Sequence, residues 1–234
     1  MIIQNSKVLI TGGSSGIGKA TAQLLKENGA QVLITGRNEE KLQLVAQELG
    51  VEYFACNVAI ESEVANLFSW VKENWKGLDV LVNNAGIGEG WAEVFDINLD
   101  LMREVYETNV FGAANMGKQA AQIFRDQKSG NIINIASTAA LKGFKMGSVY
   151  ASSKFALRGL TQCWQAELRP FNVRVFEVNP SEVTTAFASD ERKEREEEAK
   201  KLSSFEIAYT IKSCLEMHDK GYIPEVTVHA TNPF

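Results

Sequence analysis

The chain has 234 residues, of which 45% are hydrophobic and 23% charged, and it carries a net charge of −5. At this length about 70% of the unfolded surface can be hidden, so one large domain over residues 1–234 is expected. Net acidity argues against a standing nucleic-acid partner, and no apolar run is long enough to suggest a membrane span. The N-terminus Met1-Ile2-Ile3-Gln4-Asn5 lacks a signal-peptide layout, and Cys56, Cys163 and Cys214 lie far apart without metal-ligand spacing. Reduced thiols and a cytoplasmic location are therefore expected. With only His218 and His229 present, a histidine-based metal site is not expected.

Short apolar runs alternate with longer helical patterns along the chain. The first strand, Val8–Ile10, enters Thr11-Gly12-Gly13-Ser14-Ser15-Gly16-Ile17-Gly18. A helix over Gly18–Asn28 follows, with Ile17, Ala20, Thr21, Leu24 and Leu25 on its apolar face. Strands are then predicted at Gln31–Thr35, Tyr53–Cys56, Val80–Val82, Asn131–Ile135, Val173–Val178 and Glu225–Val228. Helices are predicted at Glu39–Leu49, Ile60–Trp75, Asp100–Gln127, Val149–Leu168 and Phe205–Glu216. Val- and Ile-rich strands separated by helices imply an α/β fold, a parallel sheet covered on both faces. Residues 189–201 form a charge run with almost no apolar face, which reads as a solvated helix.

Two local patterns carry chemistry. A strand, a glycine-rich turn and a helix form a phosphate cradle, because glycine lets the backbone approach and the helix start offers unpaired N–H groups. Further along, Tyr150 and Lys154 stand four residues apart, on one face of a helix. An ammonium roughly 4 Å from a phenol, at an effective dielectric of about 20, favours the phenolate by about 4 kcal/mol, or roughly three pKa units. The expectation is a phenol brought into the range of proton exchange.

Together with Asn83-Asn84-Ala85-Gly86 after the fourth strand, Asn109, and Ser137 thirteen positions before Tyr150, these patterns resemble the short-chain dehydrogenase/reductase family over residues 7 to 185. The resemblance implies a doubly wound Rossmann fold with a seven-stranded parallel sheet and an NAD(P)-dependent oxidoreductase. It places Gly12, Ser14, Ser15, Gly16, Ile17 and Gly18 against the cofactor. Asn57 and Val58 would sit by the adenine, with Asn83, Ala85 and Gly86 on the adenosine side. Pro180, Val183 and Thr185 would serve the nicotinamide carboxamide and phosphate. Ser181 stands where relatives carry glycine, which leaves the local backbone open.

Where NAD-specific folds carry an acidic residue at the end of the second strand, this chain has Gly36-Arg37. A guanidinium suits a 2′-phosphate, so NADP is expected over NAD. By resemblance, Ser137 holds the substrate oxygen and Tyr150 is the general acid/base. Lys154 tunes Tyr150 and binds the nicotinamide ribose, while Asn109 holds a water beside the lysine.

The expected activity is interconversion of a small-molecule carbonyl and a secondary alcohol, with a ketone or 3-oxoacyl-carrier-protein-type reductase as the leading subclass. The C-terminal segment Pro224–Phe234 departs from the usual ending of those reductases. A mostly apolar pocket mouth is expected from Ile87, Trp91, Leu141, Phe144, Met146, Val183 and Phe187. Family members pair the two long helices with symmetry mates, so a homodimer or homotetramer is expected, with Val105, Phe111, Phe155, Leu157 and Leu160 as surplus apolar residues. By the same resemblance, residues 189–201 would serve as a lid over the substrate. Two other readings remain open. One is a nucleotide-binding regulator without turnover; the other is a serine hydrolase, since Gly12-Gly13-Ser14-Ser15-Gly16 fits G-x-S-x-G and Ser14 could precede His218 in a triad.

Overall fold

The computed structural model describes residues 1–185, 187 and 198–232. Seven parallel strands form one sheet in the order β3-β2-β1-β4-β5-β6-β7. They are β1 (Lys7–Thr11), β2 (Gln31–Gly36), β3 (Glu52–Ala55), β4 (Val80–Asn83), β5 (Gly130–Ile135), β6 (Val173–Pro180) and β7 (Glu225–Val228). The helices are α1 (Gly16–Glu27), α2 (Glu39–Leu49), α3 (Glu61–Trp75), α4 (Leu99–Tyr106), α5 (Ala113–Gln127), α6 (Ser148–Leu168) and α7 (Ser204–Glu216).

Alternation along each strand sends side chains to opposite faces. Val8, Ile10, Val80, Val82, Phe176 and Val178 join Leu25, Leu42 and Ile211 under α1, α2 and α7. Leu9, Leu81, Ile132 and Val175 join Phe68, Val71, Met116 and Phe124 under α3 and α5. Both faces are dry, so the central strands read as continuous apolar runs. Between β4, β5 and α6 runs a buried polar chain. Asn83 Nδ2 donates to Asn134 Oδ1 at 3.0 Å, and Asn134 Nδ2 donates to Thr161 Oγ1 at 2.8 Å.

Strand order reverses direction between β1 and β4, and ligands of such sheets bind beyond the strand ends at that switch point. The glycine-rich turn leaves β1 there, and Asn83-Asn84-Ala85-Gly86 leaves β4 beside it. The structure departs from the sequence expectation at one element. The single helix predicted over Asp100–Gln127 is instead α4, a π-helical stretch Glu107–Gly112, and α5. At the end of that stretch Gly112 lies against Val58, where a Cβ would come within 2.5 Å of Val58 Cγ2. Wide turns of this kind recur at functional sites, and this one carries Asn109. Most of the charged segment 189–201, read above as a helix or lid, lies outside the described residues.

Candidate active site

A cavity of about 1070 Å³ opens at the C-terminal ends of the strands. One end is built from backbone. Gly12 and Gly16 have φ of +65° and +50°, the left-handed region that suits glycine. A Cβ on Gly18 would lie 2.3 Å from the Gly12 carbonyl oxygen, so the third glycine is needed for close packing within the turn. Asn84, whose motif was legible but whose job was not, locks this arrangement. Its Nδ2 donates to the carbonyls of Thr11 and Gly12, and the Asn84 and Ala85 N–H groups donate to Thr11 Oγ1.

Ser15 caps α1 with extended backbone but makes no side-chain cap bond, and the first turn of α1 holds no acidic residue. The orphan N–H groups at that terminus therefore suit an anion. This cradle of glycine, unpaired N–H groups and no carboxylate fits a pyrophosphate.

Of the residues expected at this end, Gly12, Ser14, Ser15, Gly16, Ile17, Arg37, Asn57, Val58, Ala85, Gly86, Pro180, Val183 and Thr185 line the cavity. Gly18 does not line it and acts beneath the turn. Asn83 does not line it either; it is buried in the sheet and spends its amide on Asn134 and the Ala113 carbonyl, so it braces β4 against β5. Asn57 Oδ1 already accepts from the Ala59 N–H at 3.1 Å, which leaves it one lone pair. Ser181 has no left-handed backbone, and its N–H donates to the Val228 carbonyl, so the missing glycine costs nothing here. Asn38 and Lys41 also line the cavity next to Arg37. Lys41 could have been noticed as a second cation one helical turn beyond the arginine.

Ser137, Tyr150 and Lys154 meet on the far wall. Ser137 sits just past β5, its Oγ accepting from the Ala139 N–H at 3.1 Å and hydrogen-bonded to the phenol. Lys154 is 4% exposed, and its Nζ donates to the Ile135 carbonyl at 2.9 Å. The expected depression of the Tyr150 phenol is not found. Lys154 Nζ stands 5.8 Å from the ring centroid and points to the strand. Burial dominates instead and pushes the phenol up to about 12, with the Ser137 hydrogen bond working the other way. Burial also pulls Lys154 down to about 8, against the charge of Glu177, which raises it. Glu177 is itself buried on β6, held by Arg158 at 3.2 Å and by Asn179 at 2.9 Å.

Asn109 is buried. Its Oδ1 accepts from the Ile87 N–H at 2.8 Å, and its Nδ2 donates to the Ile87 carbonyl and to Ser153 Oγ. The side-chain amide thus clamps the loop after β4 onto α6, and Oδ1 keeps one lone pair. The hydrolase triad fails on position. His218 follows α7 and accepts from the Lys220 N–H, and the adjacent Met217 carbonyl accepts from the N-terminal amine of Met1. Arg174, at the start of β6, also donates to that carbonyl, so His218 lies by the N-terminal ends of the strands, whereas Ser14 lies beyond the C-terminal end of β1.

The short chain dehydrogenase sequence pattern matches residues 6–196. The chain belongs to the short-chain dehydrogenase family and is an oxidoreductase of that family. It is similar to an uncharacterized oxidoreductase of Staphylococcus aureus, 31% identical over 97% of this chain and 98% of that one. A second such protein, from Staphylococcus epidermidis, is 28% identical over 97% of each. Among solved structures it is similar to an alcohol dehydrogenase of the archaeon Thermococcus sibiricus complexed with 5-hydroxy-NADP, at 26% identity and a TM-score of 0.87 over 97% of each chain. A metagenomic short-chain oxidoreductase in complex with NADP gives 28% identity and a TM-score of 0.85 over 98% of this chain and 99% of that one.

Proposed function

We propose that this protein is an NADP-dependent reductase of hydrophobic ketones, with 3-oxoacyl compounds as the neighbouring substrate class. The observation that carries the proposal is one cavity with a phosphate cradle and two cations at one end and Ser137, Tyr150 and Lys154 at the other. Arg37 and Lys41 suit a 2′-phosphate, which a carboxylate at the end of β2 would repel. The two solved relatives that hold NADP or its 5-hydroxy form support the same cofactor.

The bound nicotinamide would supply the hydride, and the chain supplies everything else. Ser137 donates to the substrate oxygen and orients the carbonyl. Tyr150 is protonated throughout the neutral range, its phenol being pushed up to about 12. It is therefore a proton donor at rest, and a developing alkoxide is a far stronger base than a phenolate. Oxidation of an alcohol would instead start from the phenolate. Lys154, an ammonium below about pH 8, would hold the nicotinamide ribose and stabilise the phenolate left after proton transfer. Asn109 fixes the loop that faces them. A regulator without turnover has no physical need of this constellation.

The test is NADPH oxidation against a panel of cyclic ketones, aromatic aldehydes, medium-chain 3-oxoacyl thioesters and short polar keto acids. Turnover of an apolar carbonyl supports the reading, and a clear preference for the short acids contradicts it. For assembly we propose at least a dimer. Phe111 and Phe155 are exposed on the helical faces that relatives pair, while Val105 and Leu157, expected there too, are buried within their own chain. A monomer by light scattering at micromolar concentration would refute the dimer.

A further inference from the structure

Around the Tyr150 phenol the chain assembles three more aromatic rings. Trp91 lies 5.5 Å from Tyr150 and 5.9 Å from Phe144, and Phe187 lies 5.7 Å from Tyr150 in an edge-on arrangement. All four line the cavity, yet Trp91, Phe144 and Phe187 are 43%, 48% and 39% exposed. Large rings left this open in a cleft have not been used to pack the fold. Leu141 and Met146, expected in the same mouth, do not line it.

The surrounding backbone makes room for these rings. A Cβ on Gly88 would come within 2.3 Å of the Phe187 ring, and a Cβ on Gly147 within 2.6 Å of the Phe144 ring. Neither glycine has left-handed backbone, so space rather than conformation accounts for them. The two loops that carry Trp91 and Phe144 are also tied together. Ala92 and Gly147 form a β-bridge, the Ala92 N–H donates to the Met146 carbonyl, and Lys145 pairs with Glu93 at 2.8 Å. Met146 holds a φ of +64°, a strained conformation for a residue with a side chain, between the two ring-bearing elements.

From this we infer that the substrate is an aryl carbonyl, with a flat aromatic ring attached to or adjoining the reacting carbon. Trp91, Phe144 and Phe187 set its specificity. The inference rests on the reductase reading and narrows it. Trp91 and Phe187 each pack against the Tyr150 ring and line the cavity, so a substrate reaching the phenol enters a slot walled by these rings. A planar ring enters such a slot and makes offset or edge-to-face contacts with both walls, whereas a puckered ring or linear chain of equal area gains only burial. Of the charged residues nearby, Lys142 and Glu182 line the cavity, while Lys145 and Glu93 pair with each other on the tied loops.

The experiment compares an aryl methyl ketone with its cyclohexyl counterpart and a medium-chain 3-oxoacyl thioester, as NADPH-dependent kcat/KM. The native protein should favour the aryl ketone over the cyclohexyl ketone by about tenfold, the scale that two ring contacts supply. Trp91→Leu and Phe187→Leu should each bring that ratio to within about threefold, with NADPH affinity retained as the control for folding. A native ratio of one or less, or a ratio unmoved by both substitutions, overturns the inference. If NADPH binds and no carbonyl is reduced, the reductase reading fails. Calorimetric titration of the two ketones then decides the ring slot separately: tighter aryl binding that Trp91→Leu abolishes upholds it, and equal binding rejects it.

Discussion

At the Gly12–Gly18 end of the cavity a turn of main chain forms the wall, and a Cβ on any of its glycines would come within 3.2 Å of a neighbour; at the Tyr150 end the walls are large side chains projecting from separate loops. The first end leaves its glycines little room: a Cβ on Gly12 or Gly18 would meet backbone, and one on Gly13 or Gly16 would meet the side chain of Ile34 or Thr185. The second tolerates many substitutions, because a ring that loses its seat can swing away. A turn that must approach a phosphate has few solutions, and a slot that chooses among carbonyls has many.

Gly18→Ala should produce the largest effect in this comparison. Its Cβ would strike the Gly12 carbonyl and Asn84, an overpacking worth about 1–3 kcal/mol. NADPH affinity should fall by roughly 5- to 150-fold in a calorimetric titration. Gly88→Ala, whose Cβ meets only the movable Phe187 ring, should leave that affinity alone and raise the KM for the carbonyl. If both substitutions damaged NADPH binding equally, the two ends would not be built on different plans.

Next comes Arg37→Ala, with an expected loss of about tenfold in NADPH affinity, about 1.4 kcal/mol, and no change for NADH. Equal use of both cofactors by the native protein would remove the basis for this prediction.

The smallest effect is a shift in pH profile. Burial lowers Lys154 to about 8 and Glu177 raises it, so the ammonium, and activity with it, is lost as pH rises through that value. Glu177 is held by Arg158 from α6 and Asn179 from β6, while the like charge of Glu225 from β7, itself bonded to Arg158, works against its carboxylate. Glu177→Gln removes the charge that supports the ammonium, so the alkaline limb of kcat/KM should move to lower pH. An unmoved limb, or one shifted upward, would show that Glu177 serves only packing.

Much of the cofactor end could be read from the chain because its determinants are local: three glycines, a strand before them and a helix after. Asn84 and Lys41 were visible as letters, but their roles depend on which strands lie side by side. The π-helical stretch at Glu107–Gly112 was hidden because an apolar repeat runs through it without interruption, and only the packing of Gly112 on Val58 and of Asn109 on Ile87 explains it. The direction of the Tyr150 shift was misread for a related reason. Spacing on a helix brings Lys154 near the phenol, but how deeply the phenol is buried, and that the ammonium turns to the Ile135 carbonyl, are properties of the whole fold. Conversely Ser181, which looked like a disturbance, is accommodated by ordinary backbone and a hydrogen bond to β7.

The central claim is that the Tyr150 hydroxyl delivers the proton while the cofactor is held elsewhere. Tyr150→Phe tests it in one protein, with NADPH affinity by titration and turnover by NADPH oxidation on the same sample. We expect kcat to fall by at least about 100-fold, the lower range for losing a positioned acid, with affinity unchanged within about threefold. A variant that kept a tenth of the native turnover would contradict the account.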